Sequence, residues 1–223
     1  MKYDLTTLLK SSQSFLTQMV EILNTAPSLS LQTLAANQSA IIIVDMINGF
    51  VKEGPMSSPR IQTIIPTIGD LMTLSKEQGL LMLAFADGHE TSSIEFSTYP
   101  PHCLVGTSES DIIDELKEIG GYELILKKST NGFLEPTFHD WLKKNPTIEN
   151  FIVVGDCTDI CVEQFVLTLK TYFNTLNQPS RIIVPMTGVE TYETDLHQGD
   201  LMNVLALYKM QMNGIEVVRE IIK

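Results

Sequence analysis

Apolar positions along the chain follow two rhythms. Residues 4–24 carry Leu8, Leu9, Phe15, Met19, Ile22 and Leu23 at mixed intervals of three and four. That spacing predicts an amphipathic helix, which ends before Pro27. From about residue 38 the rhythm changes to short, nearly unbroken apolar runs: AIIIV at 40–44, LLMLAFA at 80–86, ELIL at 123–126, FIVVG at 151–155 and RIIVP at 181–185. A last short strand is expected at 215–218. Runs of this kind belong to strands covered on both faces, as in a parallel sheet. Helical stretches are expected at 60–77, 108–119, 135–144, 159–176 and 198–212. The alternation predicts an α/β fold, a doubly wound and mainly parallel six-stranded sheet with helices on both faces. Residues 38–223 read as one domain and 1–37 as an N-terminal helical extension, with no internal repeat, linker or low-complexity tract.

Composition narrows the range of functions. Hydrophobic residues make up 43% of the 223 positions and charged ones 19%, a globular balance. The formal net charge is −12, with only 15 Lys and Arg, so a nucleic-acid partner is not expected, because phosphate binding needs clustered cations. No apolar run is long enough to cross a bilayer, and the start MKYDLTTLLK does not read as a signal peptide. A cytoplasmic enzyme without a membrane partner is the expectation. Cys103, Cys157 and Cys161 are odd in number and none forms a CxxC pair, which fits free thiols in a reducing compartment.

In a doubly wound sheet ligands gather beyond the carboxyl ends of the strands, and three candidate groups fall there. Asp45 follows IIIV, Lys127 follows LIL, and Cys161 comes six residues after Gly155 at the expected first turn of a long helix. Each alone has an ordinary explanation: a cap, a solvated end, a small buried side chain. Together they suggest more. A thiol near a helix N-terminus and an ammonium is expected to have a lowered pKa, and a nearby carboxylate can take its proton and later return it to a leaving amine. After the second run the chain reads Asp87-Gly88-His89, then Glu95, then Pro100-Pro101-His102. Imidazole and carboxylate ligands suit zinc, iron or manganese, although Asp87 as a helix cap and the histidines as loop residues would equally fit so short a pattern.

These segments resemble a known family. AIIIVDMINGFV resembles the "VDMQxDF" opening of isochorismatase-like cysteine hydrolases, and VVGDCTDICV resembles their "GxxTDxCV" nucleophile motif. KKSTNGF resembles their lysine motif, in which Lys lies six residues before Phe; that interval from Phe133 selects Lys127 over Lys128. The resemblance spans about residues 38–220. It implies catalytic roles for Asp45, Lys127 and Cys161, a cis peptide between Asp156 and Cys157, and an oxyanion site made by the N–H groups of Cys157 and Cys161.

PPHCLVGT, after the DxH pair, is similar to the "PxHCxxGT" stretch of the metal-dependent nicotinamidases in this superfamily, some of which carry a Glu seven residues before that His, as Glu95 stands here. The similarity implies a divalent metal, zinc first and iron or manganese otherwise, held by Asp87, His89, Glu95 and His102. It also implies a small-molecule amide substrate, nicotinamide, with its ring anchored by the metal. Relatives are commonly oligomeric, so a homo-oligomer is a further expectation.

Phe50 and Phe133 sit beside motif residues and are expected to wall the ring pocket; Tyr192 and Trp141 are weaker candidates, Trp141 being more simply core. A packing role is expected for Cys103, and surface or helix-terminal positions for His139 and His197. Other readings stay open at this stage: a hydrolase for a different small amide or an isochorismate-like enol ether, or a binding subunit without catalysis.

Overall fold

The computed structural model describes residues 4–223; the first three residues of the expected extension lie outside them. Helix α1, Leu5–Asn24, is capped by Asp4, whose side chain accepts from the Thr7 N–H. Strand β1, Leu29–Ser30, precedes β2, Ser39–Val44. Two one-turn helices follow, α2 at Asn48–Val51 and α3 at Pro59–Gln62, and then α4, Ile65–Gln78. The expected 60–77 helix is therefore broken. Pro66 has no N–H to give to the Gln62 carbonyl, so the helix restarts with Pro66 in its first turn.

Strand β3 is Leu81–Asp87, helix α5 Asp114–Ile119 and strand β4 Glu123–Lys127. The helix expected at 108–119 forms only in its second half, because Ile112 bridges antiparallel to Ile47 and the Ile113 N–H donates to the Met46 carbonyl. Long-range pairing holds 111–113 extended and overrides the local pattern. The remaining elements are α6, Pro136–Lys144; β5, Asn150–Asp156; α7, Glu163–Thr175; β6, Arg181–Pro185; β7, Val189–Glu190; α8, Gly199–Met212; β8, Glu216–Val218; and β9, Ile221–Ile222.

The six expected strands form one sheet in the order β4-β3-β2-β5-β6-β8, all parallel, and the short β7 makes a seventh by pairing with the end of β5. Strands β2 and β5 are buried along their whole length, which is why their sequences are continuously apolar. Alternate residues serve opposite faces. Ile42, Val44, Phe85 and Val153 pack under Phe138, Trp141, Phe165 and Leu169, while Ile41, Ile43, Ala84 and Ile152 pack under Ile68, Leu71, Met72 and Leu116.

The extension belongs to this core. Leu23 joins the first cluster, Leu31 and Leu34 the second, and Phe15 meets Tyr208 of α8 edge to face, 5.6 Å between centroids. Strand β1 pairs in parallel with β9, tying Leu29 to Ile221. Among the described residues no helix is long and apolar enough to cross a membrane.

Candidate active site

Strand β2 is the point where the chain changes direction across the sheet, with β3 on one side and β5 on the other. A crevice opens there beyond the strand ends. Close approach of β5 to β2 requires Gly155: a Cβ at that position, where φ is +118°, would lie 2.0 Å from the Val44 carbonyl oxygen. The next peptide bond, Asp156–Cys157, is cis. The chain then winds through a single π-helical turn, Thr158–Val162, which carries Cys161, before α7 begins. Such turns recur at functional sites.

Asp45, Lys127 and Cys161 meet in this crevice. Asp45 leaves β2 with φ +54°, a left-handed conformation that Asp tolerates better than most residues, and its N–H still bonds to the Phe85 carbonyl. Lys127 ends β4, fully buried, and places its Nζ 2.8 Å from Asp45 Oδ2 and 3.6 Å from Cys161 Sγ. The same ammonium forms a short ion pair with Asp87, at the end of β3, and donates to the Ser129 carbonyl oxygen at 3.2 Å. One cation thus pairs with two buried carboxylates and offsets the charge of one of them. Removing one partner from a buried ion pair costs about 3–5 kcal/mol, so this lysine organises the site.

Burial opposes the Lys127 charge, but Asp45, Asp87 and Cys161 outweigh it and hold the ammonium protonated well above its usual value. Burial also opposes the Asp87 carboxylate, yet Lys127, His102 and His89 together keep it well below the usual range. For Asp45 burial wins over Lys127 and pushes the carboxyl up to about 7. The Cys161 thiol moves opposite to the sequence expectation: burial drives it well above its usual value, against the pull of Lys127. The resting group is a thiol, which needs a base.

Asp87, His89 and His102 bring one ligand atom each to within 4.8 Å of one another, all three side chains buried. His102 Nδ1 lies 2.8 Å from the Pro100 carbonyl oxygen, which leaves its Nε2 facing Asp87 Oδ2 at 3.6 Å. His89 Nε2 lies 3.5 Å from the same oxygen and is buried without a hydrogen-bond partner. An orphaned imidazole nitrogen beside a carboxylate, with a second ring held by a backbone carbonyl, fits a divalent metal of the zinc, iron or manganese class. Glu95 departs from the expected set of four ligands. It sits half-buried on the turn Ile94–Ser97 and lines the same cleft, outside the group of three.

The cleft, about 390 Å³ counted to its open mouth, is lined by Phe50, Met56, Tyr99, Ile160 and Tyr192 around Cys161, with Asp87 and His102 at one side. Phe50 takes its expected place. Phe133 does not: it is turned into the core against Phe138, His139 and Tyr172, because its short 3-10 turn packs on α6 and α7. Trp141 is core as expected, stacked on Phe138, and Cys103 is fully buried beside Gly49. Tyr99, Met56 and Ile160 were not anticipated, since no motif marks these loop and turn positions. Asp156 also lines the cleft, buried, with Oδ2 unpartnered and its carboxyl raised well above the usual range by burial and the nearby Asp45.

The chain is similar to known proteins in sequence and in fold. Residues 39–208 match the family described as Isochorismatase domain. Over 210 residues the chain is 30% identical to Nicotinamidase 1 of Arabidopsis thaliana, covering 81% of this chain and 85% of that protein. It is 27% identical over 163 residues to a nicotinamidase of Acinetobacter baylyi, covering 60% of this chain and 75% of that one. The fold also superposes on the pyrazinamidase of Pyrococcus horikoshii in complex with zinc, with a TM-score of 0.67 and 23% identity, over 82% of this chain and 99% of the other.

Proposed function

The chain belongs to the isochorismatase family, and on that premise we propose that it is an amidohydrolase converting nicotinamide to nicotinate and ammonia through a thioester on Cys161. One observation carries the reading: the buried Lys127 ammonium lies 2.8 Å from Asp45 and 3.6 Å from Cys161, and Cys161 lines a cleft together with Asp87 and His102 of the three-residue group.

Asp45, as carboxylate, takes the Cys161 proton while Lys127 steadies both charges. The sulfur forms a bond to the amide carbon, and the carbonyl oxygen becomes an oxyanion received by the N–H groups of Cys157 and Cys161. The C–N bond then breaks, and ammonia leaves with the proton that Asp45 returns. A water molecule, deprotonated by the same carboxylate, attacks the thioester; the C–S bond breaks and the sulfur recovers a proton. Phe50 and Tyr192 offer flat surfaces for a pyridine ring. A divalent metal held by Asp87, His89 and His102 would supply a Lewis acid that binds the ring nitrogen and orients the carboxamide toward Cys161.

The test is ammonia release from nicotinamide. Cys161→Ala is expected to lower kcat by on the order of 10³-fold or more with the fold intact; activity within about tenfold of the parent would rule out the thioester route. Stripping the metal with a chelator is expected to lower kcat/KM by about 10–100-fold, restored by added zinc. Unchanged turnover in a sample shown to be metal-free would remove the metal from the reading.

A further inference from the structure

The segment between β7 and α8 contributes Tyr192 to the wall of the cleft, and a histidine that does not itself line the cavity packs behind it. Tyr192 faces the cleft. On its far side the His197 ring stacks on it almost parallel, 3.8 Å between centroids and 9° between planes. His197 Nδ1 lies 3.0 Å from the Tyr192 carbonyl oxygen and Nε2 lies 2.9 Å from Asp159 Oδ2. Asp159 accepts a second bond at Oδ1 from the Thr191 hydroxyl, 2.6 Å, and stands two residues before Cys161 on the π-helical turn. The loop is also closed on itself by reciprocal bonds between Thr194 and His197. Nothing in the proton-transfer scheme uses His197, yet its contacts run from the nucleophile turn to the aromatic wall.

We propose that His197 is a positioning residue for aromatic amides: stacked behind Tyr192 and tied to Asp159, it holds the Tyr192 ring in register with Cys161 so that a flat substrate ring lies against it. The inference rests on the site being an amide hydrolase and adds the residue that sets its preference for planar ring substrates. An unsupported Tyr192 has free rotation about two side-chain bonds, and ordering it on binding opposes substrate affinity. His197 removes that freedom in advance. The effect belongs in KM, because the groups that move protons do not change.

The experiment is a double-mutant cycle read with the fastest-hydrolysed member of nicotinamide, pyrazinamide and benzamide. His197→Ala is expected to raise KM by about tenfold with kcat within about twofold, the loss of one well-packed aromatic pair. His197→Phe, which keeps the stack, is expected to recover most of that loss. In a Tyr192→Ala background His197→Ala is expected to add nothing, because the histidine acts through the tyrosine. Independently of substrate, the His197 ring protons are expected upfield in the NMR spectrum of the parent and restored in Tyr192→Ala. An unchanged KM in His197→Ala, no recovery in His197→Phe, or additive effects in the cycle would each overturn the inference while leaving amide hydrolysis standing. A parent protein that hydrolyses none of the three amides would instead overturn the reading of the site, and this inference with it.

Discussion

In the proposed reaction Asp45 is the residue on which the chemistry turns, since a thiol raised by burial needs a base and Asp45 is the carboxylate paired with Lys127 beside it. Its carboxyl titrates near 7 rather than at the usual 3.8, so at mildly acidic pH it carries a proton and cannot accept another. The sign follows: kcat/KM is expected to rise with pH and level off above about 7, the active form being the deprotonated one. A rate profile flat between about pH 5 and 8 would show that Asp45 is not the base. Asp45→Asn is the appropriate substitution for checking the assignment, because Asn also tolerates the +54° φ of this position and keeps the side-chain shape. Loss of activity in that variant reads as loss of the base, whereas Lys127 variants would confound chemistry with the cost of unpaired buried carboxylates.

At the scale of elements, legibility followed what each segment depends on. The runs of β2, β3, β5 and β6 were readable because burial on both faces demands continuous apolar sequence, and with them came Asp45 and Asp87 at strand ends; β4, which carries Lys127, reads as equally apolar although Leu124 and Leu126 face solvent. His89, His102 and Cys161 were readable from motif spacing. The break before α4 was visible in principle at Pro66, whereas the extended stretch 111–113 is imposed by partners some sixty residues away and leaves no local mark. Strands β1, β7 and β9 are two residues each, too short for any period to show. Side-chain direction was the other blind spot. Phe133 stands beside the lysine motif yet points into the core, and Glu95 has the family interval from His102 yet lines the cleft outside the group of three. The rise of the Cys161 thiol was hidden for the same reason: the sequence showed the cation near the sulfur but not how completely the fold would bury both. The extension packs on the domain because Leu23, Leu31 and Leu34 each take a place in the core.

For the whole molecule, the site is assembled from four neighbouring strands, β4, β3, β2 and β5, and each contributes its carboxyl end. Three of them are flanked on both sides. Strand β4 is not: it is an edge strand, hydrogen-bonded through the sheet, among the described residues, only to β3, with Glu123, Leu124 and Leu126 facing solvent. The buried cation that reaches both Asp45 and Asp87 is therefore delivered by an edge strand of the sheet. Peeling of that margin would withdraw the ammonium and silence the enzyme while every helix stayed in place. In a urea titration, catalytic inactivation is accordingly expected at lower concentration than the loss of far-ultraviolet circular dichroism, and coincident midpoints would show that the margin and the interior come apart together.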